Sequence, residues 1–368
     1  MATIRFEHIW KRYGPVEAVK DLNLTCEDGE FLALLGPSGC GKTSSLRMLA
    51  GLEAISEGDL FIGEQRVNDL SPKDRDIAMV FEDYALYPHM SVYHNIAFPL
   101  KIRKVESAEI QRRVGRALDM LGLQSLRDEN VQRLSGGAQQ RISIGRAIVR
   151  DPRVLLMDEP ISHLDSAHKI ELRGELKRLQ RNLGVSTVYV THDQIEAMAL
   201  ADRVAVMNLG VLQQWGPPED LFDHPANLFV AGFIGEPPMN FLPCEADPAG
   251  RRLRGPGFEI PVSGRILERI SARPGAGLTV GIRPASLFVG GSSSDGGGGA
   301  RGEVYSLEPR GDSAVASIRM GDQRLLSESE GNLGLREGET VGLSFPEEHL
   351  HVFDSETGVN FVEKPERA

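Results

Sequence analysis

Gly36-Pro37-Ser38-Gly39-Cys40-Gly41-Lys42-Thr43 is the stretch from which this chain is best read. It fits the phosphate-loop pattern G-x-x-x-x-G-K-[ST]. Phe31-Leu32-Ala33-Leu34-Leu35 precedes it and reads as a buried strand. Leu46, Leu49 and Ala50 follow on one face of a helix that ends at Gly51. The glycines let the backbone curl so that its N–H groups face a polyphosphate. The helix N-terminus favours the same negative charge. In such a loop Lys42 reaches the β- and γ-phosphates and Thr43 ligates Mg²⁺, with Ser44 beside it.

Length and composition narrow the classes. A chain of 368 residues predicts about two or three domains. A formal charge of −11 argues against non-specific nucleic-acid binding. No apolar run approaches the roughly 20 residues that span a bilayer, and Met1–Glu7 has no apolar signal-peptide core. Cys26, Cys40 and Cys244 are odd in number and widely spaced, which fits a reducing cytosol.

Two further motifs complete a nucleotide site. Val154-Leu155-Leu156-Met157 reads as a buried strand that delivers Asp158 and Glu159 at its C-terminal end, where open α/β sheets bind ligands. Asp158 is placed to hold Mg²⁺ through water or Thr43, and Glu159 to polarise an attacking water. In Leu134-Ser135-Gly136-Gly137-Ala138-Gln139-Gln140-Arg141, Ser135, Gly136 and Gly137 open a helix as a second anion-binding start. Two such starts serve one ATP only if the second comes from another copy.

With these motifs in this order the chain resembles the ATPase subunits of ATP-binding cassette (ABC) transporters. Ser162-His163-Leu164-Asp165 is similar to the family's D-loop, and Thr191-His192-Asp193 to its switch histidine. The resemblance implies that His192 contacts the γ-phosphate, that Asp165 belongs to the nucleotide interface, and that Tyr13 stacks on adenine. Asp193 and Glu196 look like a helix cap and its partner three residues on. Tyr84–Met90, Glu196–Met198, Phe229–Gly235, Pro238–Leu242 and Gly281–Pro284 resemble the maltose and glycerol-3-phosphate importer branch. That branch implies ATP and Mg²⁺ as cofactors and a head-to-tail dimer with a second copy or a paralogous ATPase. It also implies two transmembrane permease subunits, an indirectly linked solute-binding protein, no nucleic-acid partner, and a place on the cytoplasmic face of the membrane. The segment 84–89 would face the coupling helices of the permeases.

Two positions depart from the family. Glu82, in Val80-Phe81-Glu82-Asp83-Tyr84, stands where a Gln is usual. Glutamate keeps acceptor oxygens for Mg²⁺ but loses the amide donor and adds a charge. Ala138 also stands where a Gln is usual, leaving Ser135 and the glycine backbone intact. These changes keep open a pairing with a paralogous subunit and a decayed, regulatory binding protein. A soluble ABC ATPase of translation or DNA repair is disfavoured by the single cassette, by the lack of a long coiled coil and by the acidic charge.

The predicted fold is an α/β P-loop cassette over residues 1–235, with a helical insertion over about 88–150. An all-β, OB-like (TOBE-type) regulatory domain follows over 236–368. Ile110, Val114, Ala117, Leu118 and Leu121 form a core stripe, and Asp165–Leu183 an amphipathic helix closed by Gly184. Val204–Met207 and Val211-Leu212 form a hairpin. Gly290–Gly299 reads as a flexible loop, and His349 and His351 as surface residues alternating on a strand.

Overall fold

The computed structural model describes residues 2–271, 277–290, 300–331 and 334–361. The reading of 290–299 as a flexible loop falls, from residue 291 on, outside the described residues. The chain folds as two compact units, Met1–Pro218 and Glu219–Ala368. The first ends ahead of the change in composition near 235.

In the first unit β1 (Ile4–Tyr13), β2 (Val16–Cys26), β4 (Glu57–Ile62) and β5 (Gln65–Arg66) make an antiparallel sheet in the order β2-β1-β4-β5. A second sheet has the order β10-β9-β3-β8-β7-β6. Its members are β3 (Phe31–Leu35), β6 (Ile77–Val80), β7 (Val154–Asp158), β8 (Ser186–Thr191), β9 (Arg203–Asn208) and β10 (Val211–Gly216). All pairs but β9–β10 are parallel. Every residue of β3 and β8 is buried. Continuous apolar runs are what a parallel strand covered on both faces requires. The β9–β10 hairpin turns at Leu209 (φ 48°) and Gly210 (φ 83°), a two-residue turn whose twist matches the strands.

The P-loop links β3 to α1 (Lys42–Ala50), which ends on left-handed Gly51 (φ 74°). The helical insertion comprises α2 (Val92–Ile102), α3 (Ser107–Met120) and α4 (Gly136–Ile148). The predicted stripe Ile110, Val114, Ala117, Leu118 and Leu121 is buried throughout. Helix α5 (Ser166–Leu183) starts on Asp165, which accepts from the His168 N–H, and ends on left-handed Gly184 (φ 63°).

Helix α6 (Gln194–Leu200) corrects one expectation. Asp193 is its N-cap and accepts from the N–H groups of Ile195 and Glu196. Glu196 does not reach back to the Asp193 N–H, which donates instead to Thr191 Oγ1 at 3.0 Å. Glu196 is buried and accepts from Tyr189 Oη (2.9 Å), Thr191 Oγ1 (2.8 Å) and Lys169 Nζ (3.1 Å). A buried carboxylate takes the strongest donors within reach, and the pairing with strand β8 outcompetes a local backbone contact.

The second unit carries two five-stranded sheets. One joins β11 (Asn240–Asp247), β12 (Arg252–Gly255), β13 (Phe258–Pro261), β14 (Leu278–Ile282) and β20 (Leu350–Asp354). The other joins β15 (Phe288–Gly290), β16 (Ala300–Pro309), β17 (Ser313–Met320), β18 (Gln323–Glu330) and β19 (Thr340–Ser344). Alternating strand residues from both enter one apolar core. Buried Arg283 donates to the carbonyls of Ala231 (3.1 Å), Ile234 and Phe222 (2.7 Å) and lies 4.2 Å from the Phe222 ring centroid. Those contacts fasten residues 219–235 to this unit. Burial lowers the Arg283 pKa to about 10.

The two histidines are not both surface residues. His349 is exposed in a 3₁₀ turn, whereas His351 lies half-buried on β20 with its ring 6.1 Å from that of Phe353. Burial, followed by the charges of Arg283, His224 and His349, lowers the His351 pKa to about 4. The strand period puts Leu350 and Val352 into the apolar core and His351 on the opposite face with Phe353, which packs with Ala231 and Met239.

Glu196→Ala leaves the Tyr189 and Thr191 hydroxyls without their acceptor and Lys169 with Asp193 alone, so it should destabilise the first unit by about 2–4 kcal/mol. Glu196→Gln, which still accepts from Tyr189 and Thr191, should cost clearly less. Urea unfolding followed by circular dichroism distinguishes this from a solvent-exposed role, for which both changes would be silent.

Candidate active site

Four neighbouring parallel strands deliver the sequence motifs to one edge. Leu35 of β3 pairs with Thr191 of β8, Val190 of β8 with Asp158 of β7, and Met157 of β7 with Val80 of β6. The residues that leave these strands are the P-loop, His192, Glu159 and Glu82. The carboxyl edge of a parallel sheet is where such folds bind ligands.

The P-loop is held by its neighbours. A side chain at Gly36 (φ 158°) would stand 2.2 Å from the Met207 carbonyl oxygen, and one at Gly41 (φ 106°) would stand 2.5 Å from that of Ala18. Gly39 is also left-handed (φ 78°). Pro37 accepts from the Cys40 N–H at 3.3 Å, and Ser38 is exposed at the loop's tip. Lys42 is buried and donates to the carbonyls of Gly36 (2.8 Å) and Pro37 (3.0 Å). Its ammonium therefore lies within the loop that the motif says it should serve. Cys40 is buried, and burial pushes its thiol pKa up. The site calls for no free thiolate.

Thr43 Oγ1 and Asp158 Oδ1 face each other at 3.5 Å. This oxygen set suits a hard divalent cation that fills its other positions with water and phosphate oxygens, as Mg²⁺ does. Among the described residues no group of three or more His, Cys, Asp or Glu side chains could hold a metal. Burial raises the Asp158 pKa, Arg47 opposes that shift, and the charges of Glu159 and Glu82 add to it.

Glu159 adopts a left-handed backbone (φ 43°), a conformation that costs a non-glycine residue about 1–2 kcal/mol. Its N–H donates to the Val190 carbonyl at 2.9 Å, and its Oε2 lies 2.8 Å from His192 Nδ1. The sharp turn throws consecutive carboxylates in different directions, Asp158 toward Thr43 and Glu159 toward His192. The carboxylate of Glu82, by contrast, faces the loop after β7. It lies 3.4 Å from both Ser162 Oγ and His163 Nε2.

Ser135 is the N-cap of α4, and its Oγ accepts from the Ala138 N–H at 3.4 Å. Ala138 therefore serves the cap through its backbone, which any residue supplies. A side chain at Gly136 would stand 3.3 Å from Leu164 and from Tyr84 Oη, and one at Gly137 would stand 3.8 Å from His168. Asp165 Oδ2 lies 2.7 Å from His168 Nδ1. Tyr13 is exposed, bonds Glu53 through its hydroxyl, lies 3.4 Å from Ser44 Oγ, and has Lys11 Nζ 4.5 Å from its ring centroid.

Several contacts had no sequence signal. Tyr84 (φ 60°) and Ala85 (φ 45°) are left-handed without being glycines. Their carbonyls accept from Arg146 at 3.0 and 2.5 Å, and Ser143 adds a 3.0 Å bond to Tyr84. The loop after β6 is thereby tied to α4, the helix that Ser135 caps. Glu53, the partner of Tyr13, also carried no motif.

A phosphate cradle, an acidic strand end and a paired histidine on one parallel edge define a P-loop ATPase cassette. Comparison with known proteins agrees. Residues 19–162 match the ABC transporter family model, and residues 280–353 the TOBE domain. The trehalose/maltose import ATP-binding protein MalK of Thermococcus litoralis is 47% identical over 97% of this chain and 99% of its own length. The sn-glycerol-3-phosphate import ATP-binding protein UgpC of Ruegeria pomeroyi is 43% identical over 99% and 100%. The dimeric structure of MJ0796, a bacterial ABC transporter cassette, superposes with a TM-score of 0.53 at 30% identity, covering 58% of this chain and 98% of that one. The chain belongs to the ABC transporter family, as one of its ATP-binding import subunits, and it is an ATPase.

The raised pKa of Asp158 has a sign that can be tested. The folded chain holds this proton more tightly than the unfolded chain does, so ionising Asp158 at neutral pH opposes folding. The opposition vanishes below the ordinary carboxylate pKa and grows as pH rises through it toward the raised value. Asp158→Asn should therefore raise the melting temperature of the nucleotide-free protein at pH 7, and the gain should shrink toward pH 4. Calorimetry at the two pH values is the check, and an unchanged or lowered melting temperature at pH 7 counts against it.

Proposed function

We propose that this ATPase drives import of a sugar, oligosaccharide, polyol or glycerophosphate-type solute. It would work on the cytoplasmic face of a membrane, bound to two transmembrane permease subunits that a solute-binding protein feeds. The support is the near-full-length likeness to the trehalose/maltose and glycerol-3-phosphate import proteins. Among the described residues no helix is long and apolar enough to cross a membrane, so membrane passage would rest with partners.

The observation that carries the chemistry is the Glu159–His192 contact beside the facing Thr43 and Asp158 oxygens. Lys42 and the N–H groups that the 36–44 loop offers outside Pro37 take the phosphates, and the Tyr13 ring takes the adenine. Thr43, Asp158 and Glu82 supply oxygens for Mg²⁺, which when bound offsets phosphate charge. Glu159 orients the attacking water and receives its proton, and His192 holds that carboxylate in place beside the γ-phosphate. Ser135, Gly136 and Gly137, with Asp165, meet the nucleotide held by a second subunit, head to tail. The second unit helps dimerise and receives regulatory signals. A paralogous ATPase as partner is the second reading, favoured by Glu82 and Ala138 in one chain.

Affinity capture of the tagged protein from its native membranes, with partners identified by mass spectrometry, tests the assembly. Two permeases with no other ATPase support the homodimeric importer. A second ATPase supports unequal sites, and no membrane partner overturns the transporter reading. For the chemistry, Glu159→Gln should bind ATP as the wild type does while losing turnover by at least about a hundredfold. Unchanged steady-state hydrolysis would remove Glu159 from the role.

A further inference from the structure

Glu82 leaves β6 and His163 lies in the loop after β7, so the two loops start on neighbouring strands. They meet where Glu82 Oε1 lies 3.4 Å from both His163 Nε2 and Ser162 Oγ. A hydroxyl has one hydrogen to donate. Ser162 Oγ lies closer to the Glu159 carbonyl, at 3.0 Å, and that contact claims it. The imidazole edge then faces the Glu82 carboxylate through Nε2, 3.4 Å from Oε1.

The placement matters because the site is already acidic. Asp158 and Glu159 stand on the neighbouring strand end, where burial raises the Asp158 pKa and the charges of Glu159 and Glu82 add to that shift. A glutamine at this position would add no charge, whereas a glutamate must be kept from the phosphates until a cation arrives.

We propose that His163 is a positioning residue that holds the Glu82 carboxylate against the 159–165 loop, and so keeps its charge off the space the nucleotide phosphates enter. This rests on the nucleotide site proposed above. It concerns only this chain's own pairing of Glu82 with His163. Without the imidazole, the carboxylate is free to turn toward Asp158 and Glu159 and adds to the repulsion of an incoming polyphosphate. Both partners are about half exposed, at 59% and 48% of their side-chain surface, so water screens the effect. Its size should be about two- to five-fold in affinity.

Metal-free ATP is the sensitive probe, since a divalent cation would offset the same charge. The full-length protein is titrated with ATP in chelator at low ionic strength, as wild type, His163→Ala, Glu82→Gln and the double variant. His163→Ala should weaken binding about two- to five-fold in the wild-type background and not at all in the Glu82→Gln background. His163→Gln, which keeps an N–H donor, should restore most of the loss. An equal loss in both backgrounds would mark His163 as merely structural and overturn the proposal, as would no loss in either. Wild type failing to bind ATP at all would overturn the nucleotide-site reading, and this proposal with it. That result is distinct from a wild type that binds and a flat cycle.

Discussion

Parallel hydrogen bonding of β3, β8, β7 and β6 in that order is the constraint on which the site depends. It aligns four strand ends at one edge, so that Gly36, His192, Glu159 and Glu82 leave the sheet side by side although up to 156 positions separate them in the chain. A slip of one residue in β7 would turn Asp158 to the other face and break its meeting with Thr43. The apolar runs that bury these strands therefore also set the catalytic geometry. Their continuous apolar character, which hides any face preference in the sequence, is what allows helices to cover both sides.

The edge gathers more negative charge than a folded protein welcomes. Asp158, Glu159 and Glu82 stand on adjacent strand ends, and the left-handed turn at Glu159 adds backbone strain. Each carboxylate has a separate answer to this crowding: Asp158 faces Thr43, Glu159 faces His192, and Glu82 faces His163. Distributing the three outward limits their mutual repulsion while leaving the space among them attractive to a cation. Stability and binding are opposed here, since the same ionised Asp158 that resists folding favours a hard metal. Such opposition is expected where a fold keeps strained, charged groups for a ligand.

Much of this was legible in the sequence because its signals are local. The P-loop, the β3 and β7 runs, the stripe along α3 and the Gly184 C-cap of α5 depend on spacings of a few residues, and each took the conformation expected of it. What escaped was non-local. Glu196 has the spacing of a capping partner, yet Lys169, 27 residues back, and the end of the preceding strand hold it. His351 alternates like a surface residue, but its strand face carries Phe353, which packs with Ala231 and Met239 from outside the strand. Tyr84 and Ala85 take backbone conformations usually left to glycine, because Arg146 and Ser143, some sixty residues on, grip their carbonyls. Glu82 could be recognised as an unusual residue from the sequence alone. That His163 answers it required the neighbouring of β6 and β7.

The contrast between the P-loop and its surroundings separates what is built in advance from what must move. Met207 and Ala18 carbonyls stand so near Gly36 and Gly41 that neither position has room for a side chain. Lys42 satisfies its ammonium on the loop's own carbonyls and is buried. A cradle already in shape costs little ordering when a phosphate arrives, and the Lys42 contacts are exchanged rather than created. The pairs around it are of another kind. Tyr13–Glu53 and Glu82–His163 are exposed contacts between residues on loops or strand ends, and exposed pairs are weak. They can be traded for contacts with a nucleotide or another chain at small cost. Rigid phosphate recognition and readily exchanged peripheral pairs together suit a motor subunit, which must hold ATP in one geometry while its loops report that ATP is there.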